Sequence, residues 1–152
     1  MTKDSLVVSL VDTNILVYCY DTAAPFKREA ARDLLRAGVA KEELRIPHQA
    51  MVEFVNVVTR KRGGRDSLLP PEEAWRQAEE YLISFPILYP NESVLRKALL
   101  GMAAYKFAWY NAHLWAYAEH YGISEILSED FEHGRWYGTV RVRNPFVELG
   151  LA

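Results

Sequence analysis

Two apolar runs in this chain end in acidic residues, and this pairing is the strongest indication of chemistry in the sequence. The run at residues 6–11 is followed by Asp12, and the run at residues 123–127 is followed by Ser128, Glu129 and Asp130. Short apolar runs are typical of buried strands in a parallel sheet, and ligands bind beyond the carboxyl ends of such strands. Carboxylates that meet there repel each other unless a cation or proton lies between them. The pattern predicts a divalent metal site.

Two further polar side chains stand inside apolar segments that are predicted to be helical. Glu53 has apolar neighbours on both sides, and glutamate is rarely buried unless it is paired. Asn56, three residues on, is predicted to share the helix face of Glu53 and to hydrogen-bond to it. Asn111 lies in a later helical segment where the surroundings are predicted to be buried. These residues are candidates to join the acids at the sheet edge.

Each candidate also has a purely structural explanation. Asp12 can cap the helix that follows it. Glu53 can form a salt bridge at the protein rim with Arg60 or Arg62. Asn111 can be a hydrogen-bonded asparagine in the core or on the helix surface, and the acids that follow residue 127 can be solvated loop residues. The residues alone leave both kinds of explanation open.

The elements that must position these side chains alternate between strand and helix. Helices are predicted at residues 13–20, 25–37, 49–62, 71–84, 92–105 and 109–121, and further strands at 45–47, 85–89 and 139–142. Glycines at 38, 63–64 and 122 are predicted to end the second, third and sixth helices. This alternation favours a three-layer α/β/α fold with a mainly parallel central sheet. We expect a single domain over residues 1–152.

Composition limits the possible functions. With 152 residues, of which 50% are hydrophobic, the chain has room for one ordinary core. A net charge of −2 gives no global reason for nucleic-acid binding, which would need a local patch or bound metal. The basic cluster at residues 60–65 is either a solvated helix end or a guide for RNA phosphates.

Two features indicate where the protein acts. A single cysteine, without a recognisable secretory signal, predicts a cytoplasmic location. The apolar segment at residues 98–118 contains Lys106, Asn111 and His113, which a bilayer core tolerates poorly. We therefore expect soluble helices there and no membrane association.

Other chemistry fits the sequence less well. No glycine-rich phosphate loop follows the first strand, which argues against a nucleotide-binding Rossmann protein. A phosphoryl-transfer protein with Asp12 as nucleophile would carry a second aspartate two residues on, where Asn14 stands. These classes therefore rank below a metal-dependent reaction.

Taken in order, the motifs resemble those of PIN-domain ribonucleases, and most closely the VapC-like toxins of bacterial toxin–antitoxin pairs. The resemblance extends from Val7 to Phe146 and rests on Asp12-Thr13-Asn14, the segment 47–60 with Glu53, the segment 110–118, Ser128-Glu129-Asp130, and Arg143-Asn144-Pro145-Phe146. It implies an endoribonuclease that uses Mg²⁺ or Mn²⁺ and cleaves single-stranded or loop RNA. It also implies a cognate antitoxin and a homodimer.

The resemblance assigns roles residue by residue. Asp12, Glu53 and Asp130 match three of the four acidic positions that bind metal, and Asn111 stands where the fourth is normally aspartate. The supporting residues around them are Thr13, Asn14, Asn56, Ser128 and Glu129.

Asn111 leaves two functions open. The chain can be an active or weakened ribonuclease, or a catalytically silent PIN module that binds antitoxin or RNA without cleavage. An uncharged amide weakens a site for a hard cation, which prefers anionic oxygen ligands. The asparagine can be natural, compensated elsewhere, or introduced to silence a toxic protein.

Overall fold

The computed structural model of the chain describes residues 7–151. Leu6, at the start of the first predicted strand, lies outside this range. In chain order the elements are β1 Ser9–Val11, α1 Thr13–Tyr18, α2 Pro25–Lys41, β2 Leu44–Pro47, α3 His48–Thr59, α4 Pro71–Ser84, β3 Ile87–Leu88, α5 Glu92–Tyr105, α6 Trp109–Tyr121, β4 Glu125–Leu127, β5 Trp136–Tyr137, β6 Val140–Arg143 and α7 Pro145–Glu148.

The order of the strands brings the two acid-terminated runs side by side. The sheet has the order β3-β2-β1-β4-β6-β5, so β1 lies between β2 and β4. These neighbours are parallel, with Ser9 opposite Leu44 on one side and Val11 opposite Leu127 on the other. Within the described residues only β5 runs antiparallel to its neighbour. The predicted mainly parallel sheet is confirmed, and the ends of β1 and β4 share one edge.

The sheet is covered on both faces. Val11 and Leu127 belong to a core cluster that includes side chains of α1, α2, α3 and α4. Leu10 and Ile126 point to the opposite face and pack with side chains of α5 and α6. Because both faces are buried, the two central strands end in consecutive apolar residues, Leu10-Val11 in β1 and Ile126-Leu127 in β4. The result is the predicted α/β/α arrangement.

Two helix ends that were predicted from glycines were wrong. Helix α2 does not stop at Gly38 but continues to Lys41, and Glu42 in the left-handed region ends it. Gly38 is instead required for packing, because a Cβ there would lie 2.1 Å from Cδ1 of Leu44. Helix α3 ends at Thr59, before the Gly63-Gly64 pair, which lies in a separate turn.

Two short elements were not predicted from the sequence, β5 and α7. The apolar segment at residues 98–118 is divided between α5 and α6. None of the helices between residues 7 and 151 combines the length and apolar character that a membrane span requires.

Candidate active site

One pocket at the carboxyl edge of the sheet contains the four principal candidates. Asp12, Glu53, Asn111 and Asp130 all line this pocket, whose volume is about 330 Å³. Asp12 follows β1, Asp130 lies in the loop after β4, and the other two project from α3 and α6. The Gln49 amide nitrogen donates to the Tyr110 carbonyl oxygen over 3.1 Å and links α3 to α6 near the pocket. We call this cavity the acidic pocket.

Asp12 is buried and hydrogen-bonded through both carboxylate oxygens. Oδ1 accepts from the Thr13 amide at 2.7 Å, so the predicted helix cap is present. Oδ2 accepts from Ser128 Oγ at 2.6 Å and from Asn14 Nδ2 at 3.3 Å. Burial is the main cause that raises the pKa of Asp12 to about 7, the charges of Asp130 and Glu53 add to it, and the bonds from Ser128 and Thr13 oppose it. The Asp12 side chain thus both caps α1 and lines the acidic pocket.

Glu53 is half-buried on the pocket side of α3. Thr13 Oγ1 donates to its Oε1 over 3.4 Å. Among the described residues, Glu53 forms no salt bridge with Arg60 or Arg62. Asn56 does not have its predicted role, because it is exposed and faces the neighbouring groove between α3 and α6 instead of the acidic pocket. Thr13, from α1, takes the supporting position expected of Asn56.

The two acids of the loop after β4, Glu129 and Asp130, have different surroundings. Asp130 lies at the pocket rim, and its backbone amide donates to Ser128 Oγ over 3.0 Å. Partial burial raises the pKa of Asp130, the Glu129 charge adds to this rise, and Asn14 opposes it. Ser128 therefore contacts both Asp12 and the start of this acidic loop.

Glu129 is held by residues that the sequence did not single out. Tyr18 Oη donates to Glu129 Oε1 at 2.7 Å, and Lys27 Nζ lies 3.2 Å from Oε2. The Lys27 ammonium also lies over the ring of Tyr18, 5.1 Å from its centroid. Glu129 thus anchors the loop to α1 and α2. Helical spacing offered one signal, because Tyr18 is four residues from Asn14 and shares its face of α1.

Asn111 differs from the core amide that the sequence left open. It lies in the first turn of α6, is half-buried and lines the acidic pocket. Its side chain makes no hydrogen bond with another described residue. A pocket-lining amide without such a bond is available to a cation or a ligand.

The pocket fits a hard cation in its donor chemistry. Carboxylate and amide oxygens are the ligands that Mg²⁺ and Mn²⁺ prefer, and Asn14 Oδ1 is buried here without a hydrogen-bond partner among the described residues. However, no three histidine, cysteine, aspartate or glutamate side chains within residues 7–151 are grouped closely enough to hold a metal ion. The carboxyl groups would therefore have to draw closer together around a bound cation, to which Asn111 would add an uncharged donor.

Comparison with known proteins decides the family. The sequence model of the PIN domain matches residues 9–137. The chain belongs to the PIN domain family. The resemblance that the motifs indicated is confirmed, although the closing motif lies beyond the matched residues. There Asn144 Oδ1 accepts from the Phe146 amide at 3.0 Å and caps α7.

Solved structures share the PIN fold at low sequence identity. A toxin–antitoxin complex from Klebsiella pneumoniae is 16% identical, with a TM-score of 0.62 over 90% of this chain and 97% of that one. A DNA-bound VapBC complex from Salmonella typhimurium is 12% identical, with a TM-score of 0.66 over 91% and 98%. VapC20 of Mycobacterium tuberculosis, a toxin that cleaves the sarcin–ricin loop, is 14% identical, with a TM-score of 0.59 over 80% and 91%. Comparison with curated proteins gives no match.

Ser128 provides a test of how the PIN pocket controls Asp12. Because its hydroxyl stabilises the Asp12 carboxylate, Ser128→Ala is expected to raise the pKa of Asp12 further. The titration of Asp12, followed by NMR of its carboxyl carbon in chelator, should move to higher pH. Ser67→Ala, which removes a hydroxyl bonded to the Leu69 carbonyl outside the pocket, should leave that titration unchanged. An unchanged titration in Ser128→Ala would show that the bond does not set the pKa.

Proposed function

We propose that this PIN domain is a metal-dependent endoribonuclease that acts as the toxin of a toxin–antitoxin pair. The observation that carries the proposal is the acidic pocket, which Asp12, Glu53, Asn111 and Asp130 line from four separate segments of the chain. The pKa of Asp12 is raised mainly by its burial, and the charges of Asp130 and Glu53 add to this rise; a bound cation would offset both effects. The VapC20 neighbour, an RNA-cleaving toxin of the same fold, supports the substrate class.

The donors of the pocket have distinct proposed roles. Asp12, Glu53 and Asp130 would hold Mg²⁺ or Mn²⁺ together with the amide oxygen of Asn111. When bound, a divalent cation supplies positive charge that offsets the negative charge of the phosphate and lowers the pKa of water.

The surrounding residues prepare these donors. The Thr13 amide and Ser128 hydroxyl keep the Asp12 carboxylate fixed in orientation. Glu53 is half-buried at the pocket wall, where it would hold a second cation or orient the attacking water. Glu129 is already paired with Lys27 and Tyr18, so we assign it to holding the loop of Asp130.

A silent PIN module is the second candidate, and Asn111 favours it. Without a fourth carboxylate the pocket has a weaker field for a dication, and no three acids lie within one metal-binding group in the described residues. Such a module would bind antitoxin or RNA without cleaving the RNA. The two candidates differ in catalysis and not in partners.

We further propose an antitoxin partner and a homodimer. Toxin–antitoxin complexes among the structural neighbours support the antitoxin. An arginine of the antitoxin would compete with metal in the acidic pocket, because guanidinium groups pair strongly with carboxylates. Exposed aromatic side chains on α6, Trp109 and Tyr110, offer contact area for a second copy.

Cleavage of a structured RNA with and without chelator tests the proposed activity. We expect slow cleavage in Mg²⁺ or Mn²⁺, loss of cleavage in chelator, and a loss of at least about tenfold in Asp12→Asn. Asp33→Asn is the matched control, because Asp33 is exposed and paired with Arg36 outside the pocket. If cleavage by the unmodified chain, by Asp33→Asn and by Asp12→Asn is equal, the acidic pocket is not the nuclease site. If neither metal supports cleavage, the silent module is favoured.

A further inference from the structure

A tight turn beside the acidic pocket carries a cluster of cations. Residues Arg62 and Arg65 exchange two backbone hydrogen bonds of 3.2 and 2.8 Å, with Gly63 and Gly64 between them. Both glycines have positive φ angles, 46° and 86°, which side chains with a Cβ rarely adopt. The glycine pair, predicted to end α3, instead closes this turn. We call residues 60–65 the basic turn.

The basic turn is held at its base and open at its tip. The Leu69 amide donates to the Val58 carbonyl oxygen over 2.9 Å, and Leu69 is buried in the core. In contrast, residues 60–66 are all exposed, and a Cβ on Gly63 or Gly64 would meet no atom within 4 Å. The turn therefore presents its charges to solvent on a fixed support.

The charges of the turn are not used in the fold. None of its four basic side chains forms a salt bridge with a residue in the described part of the chain. These side chains belong to Arg60, Lys61, Arg62 and Arg65. Four adjacent cations in a chain of net charge −2 repel one another and gain nothing from internal pairing. Such a cluster suits an external polyanion.

The location of Arg62 indicates which polyanion. Arg62 lines the acidic pocket. Among the described residues, no other arginine or lysine lines it. The other charged groups lining it are all acidic: Asp12, Asp21, Glu53, Glu129 and Asp130. The phosphates of a nucleic-acid strand that approaches these acids are repelled by them, and a cation at the pocket wall counteracts this repulsion and attracts the backbone.

We infer that the basic turn is a binding element for the phosphate backbone of single-stranded RNA, with Arg62 on the phosphate nearest the acidic pocket. The inference rests on the proposed nuclease function, because it assigns that function its substrate contact. Backbone contacts of this kind hold a strand without reading its sequence. The basic turn would therefore set affinity and position, whereas the acids would perform the cleavage.

Salt-dependent binding tests the inference without cleavage. The probe is a short fluorescent oligouridylate, and binding to the whole chain is measured by anisotropy in chelator over a range of salt concentrations. Each lost contact with a single-strand phosphate lowers the slope of log K against log salt by about 0.7. We expect this decrease and roughly fivefold weaker binding at low salt for Arg62→Ala. Arg62→Lys should retain the unmodified slope, because it retains the charge.

Arg96→Ala is the matched control, since it removes one exposed arginine paired with Glu92 on α5, outside the acidic pocket. A similar slope change in Arg96→Ala and Arg62→Ala would overturn the inference, because net charge alone would explain both. Undetectable binding by the unmodified chain would also overturn it. Arg62-dependent binding without cleavage in metal would support the basic turn and count against the nuclease. Cleavage with Arg62-independent binding would support the nuclease and overturn the basic turn.

Discussion

Asn111→Asp is expected to raise Mg²⁺ and Mn²⁺ affinity and RNA cleavage about a hundredfold, or about 2.7 kcal/mol. A unit negative charge roughly 6 Å from a dication gains about 5.5 kcal/mol at an effective dielectric of about 20, and desolvation offsets part of this gain. The side chain already lines the acidic pocket and makes no hydrogen bond to a described residue, so little must rearrange. Metal titration by calorimetry and cleavage of structured RNA measure the two effects.

The same substitution should destabilise the metal-free protein. A fourth carboxylate adds repulsion to a pocket that already raises the pKa of Asp12 and Asp130. Melting temperatures in chelator should therefore be lower for Asn111→Asp than for the unmodified chain, and should rise more when metal is added. The added charge has two consequences: it repels the other carboxylates when metal is absent, and it attracts the cation when metal is present.

Asn56→Asp is the matched control, because it makes the same change of charge on an exposed residue outside the acidic pocket. It should leave metal affinity and cleavage unchanged. If Asn111→Asp and the unmodified chain cleave equally, Asn111 is not a ligand. The site would then have to be redrawn around Asp12, Glu53 and Asp130, with Glu129 released from Lys27.

The carboxyl edge of the sheet, where the site lies, could be predicted because buried strands and helix ends have recognisable sequence patterns. Central strands buried on both faces carry consecutive apolar residues, and the last two residues of β1 and of β4, Leu10-Val11 and Ile126-Leu127, fit this pattern. Helix ends such as Gly122 after α6 follow from local backbone preference. The two strand ends and two long helices were therefore predictable, and with them the segments that carry the four pocket residues.

Contacts between distant segments were not predictable in the same way. The pairing of Glu129 with Tyr18 and Lys27 joins residues 111 and 102 positions apart. Helical spacing places Tyr18 on the same face as Asn14 but does not identify Glu129 as its partner. Gly38 misled the prediction because glycine ends many helices, whereas here it makes room for Leu44 from β2. Asn56 had the right spacing for a bond to Glu53, but Thr13 is the residue that donates to this carboxylate.

Stability in chelator is expected to fall as the pH rises from about 4 to about 7. The pKa of Asp12 is 3.8 in its ordinary state and about 7 in the fold, so between these values the folded chain binds a proton that the unfolded chain has released. The Asp12 contribution is full below the lower value and is lost through the upper one, because stability falls with pH wherever the folded state binds more protons. Three pKa units correspond to an upper limit of about 4 kcal/mol.

Denaturant unfolding at pH 5 and pH 8 in chelator, compared between the unmodified chain and Asp12→Asn, measures this contribution. The substitution removes the titrating group, so the free energy of unfolding should change less between the two pH values than it does in the unmodified chain. Asp33→Asn, at an exposed acid outside the pocket, should retain the full change. Mg²⁺ should restore stability to the unmodified chain at pH 8 and much less to Asp12→Asn, since a ligand stabilises only the state that binds it. An equal pH dependence in both chains would mean that the Asp12 carboxyl is ionised throughout this range. The metal-free pocket would then not destabilise the charged carboxylate, and a cation would have no such destabilisation to relieve.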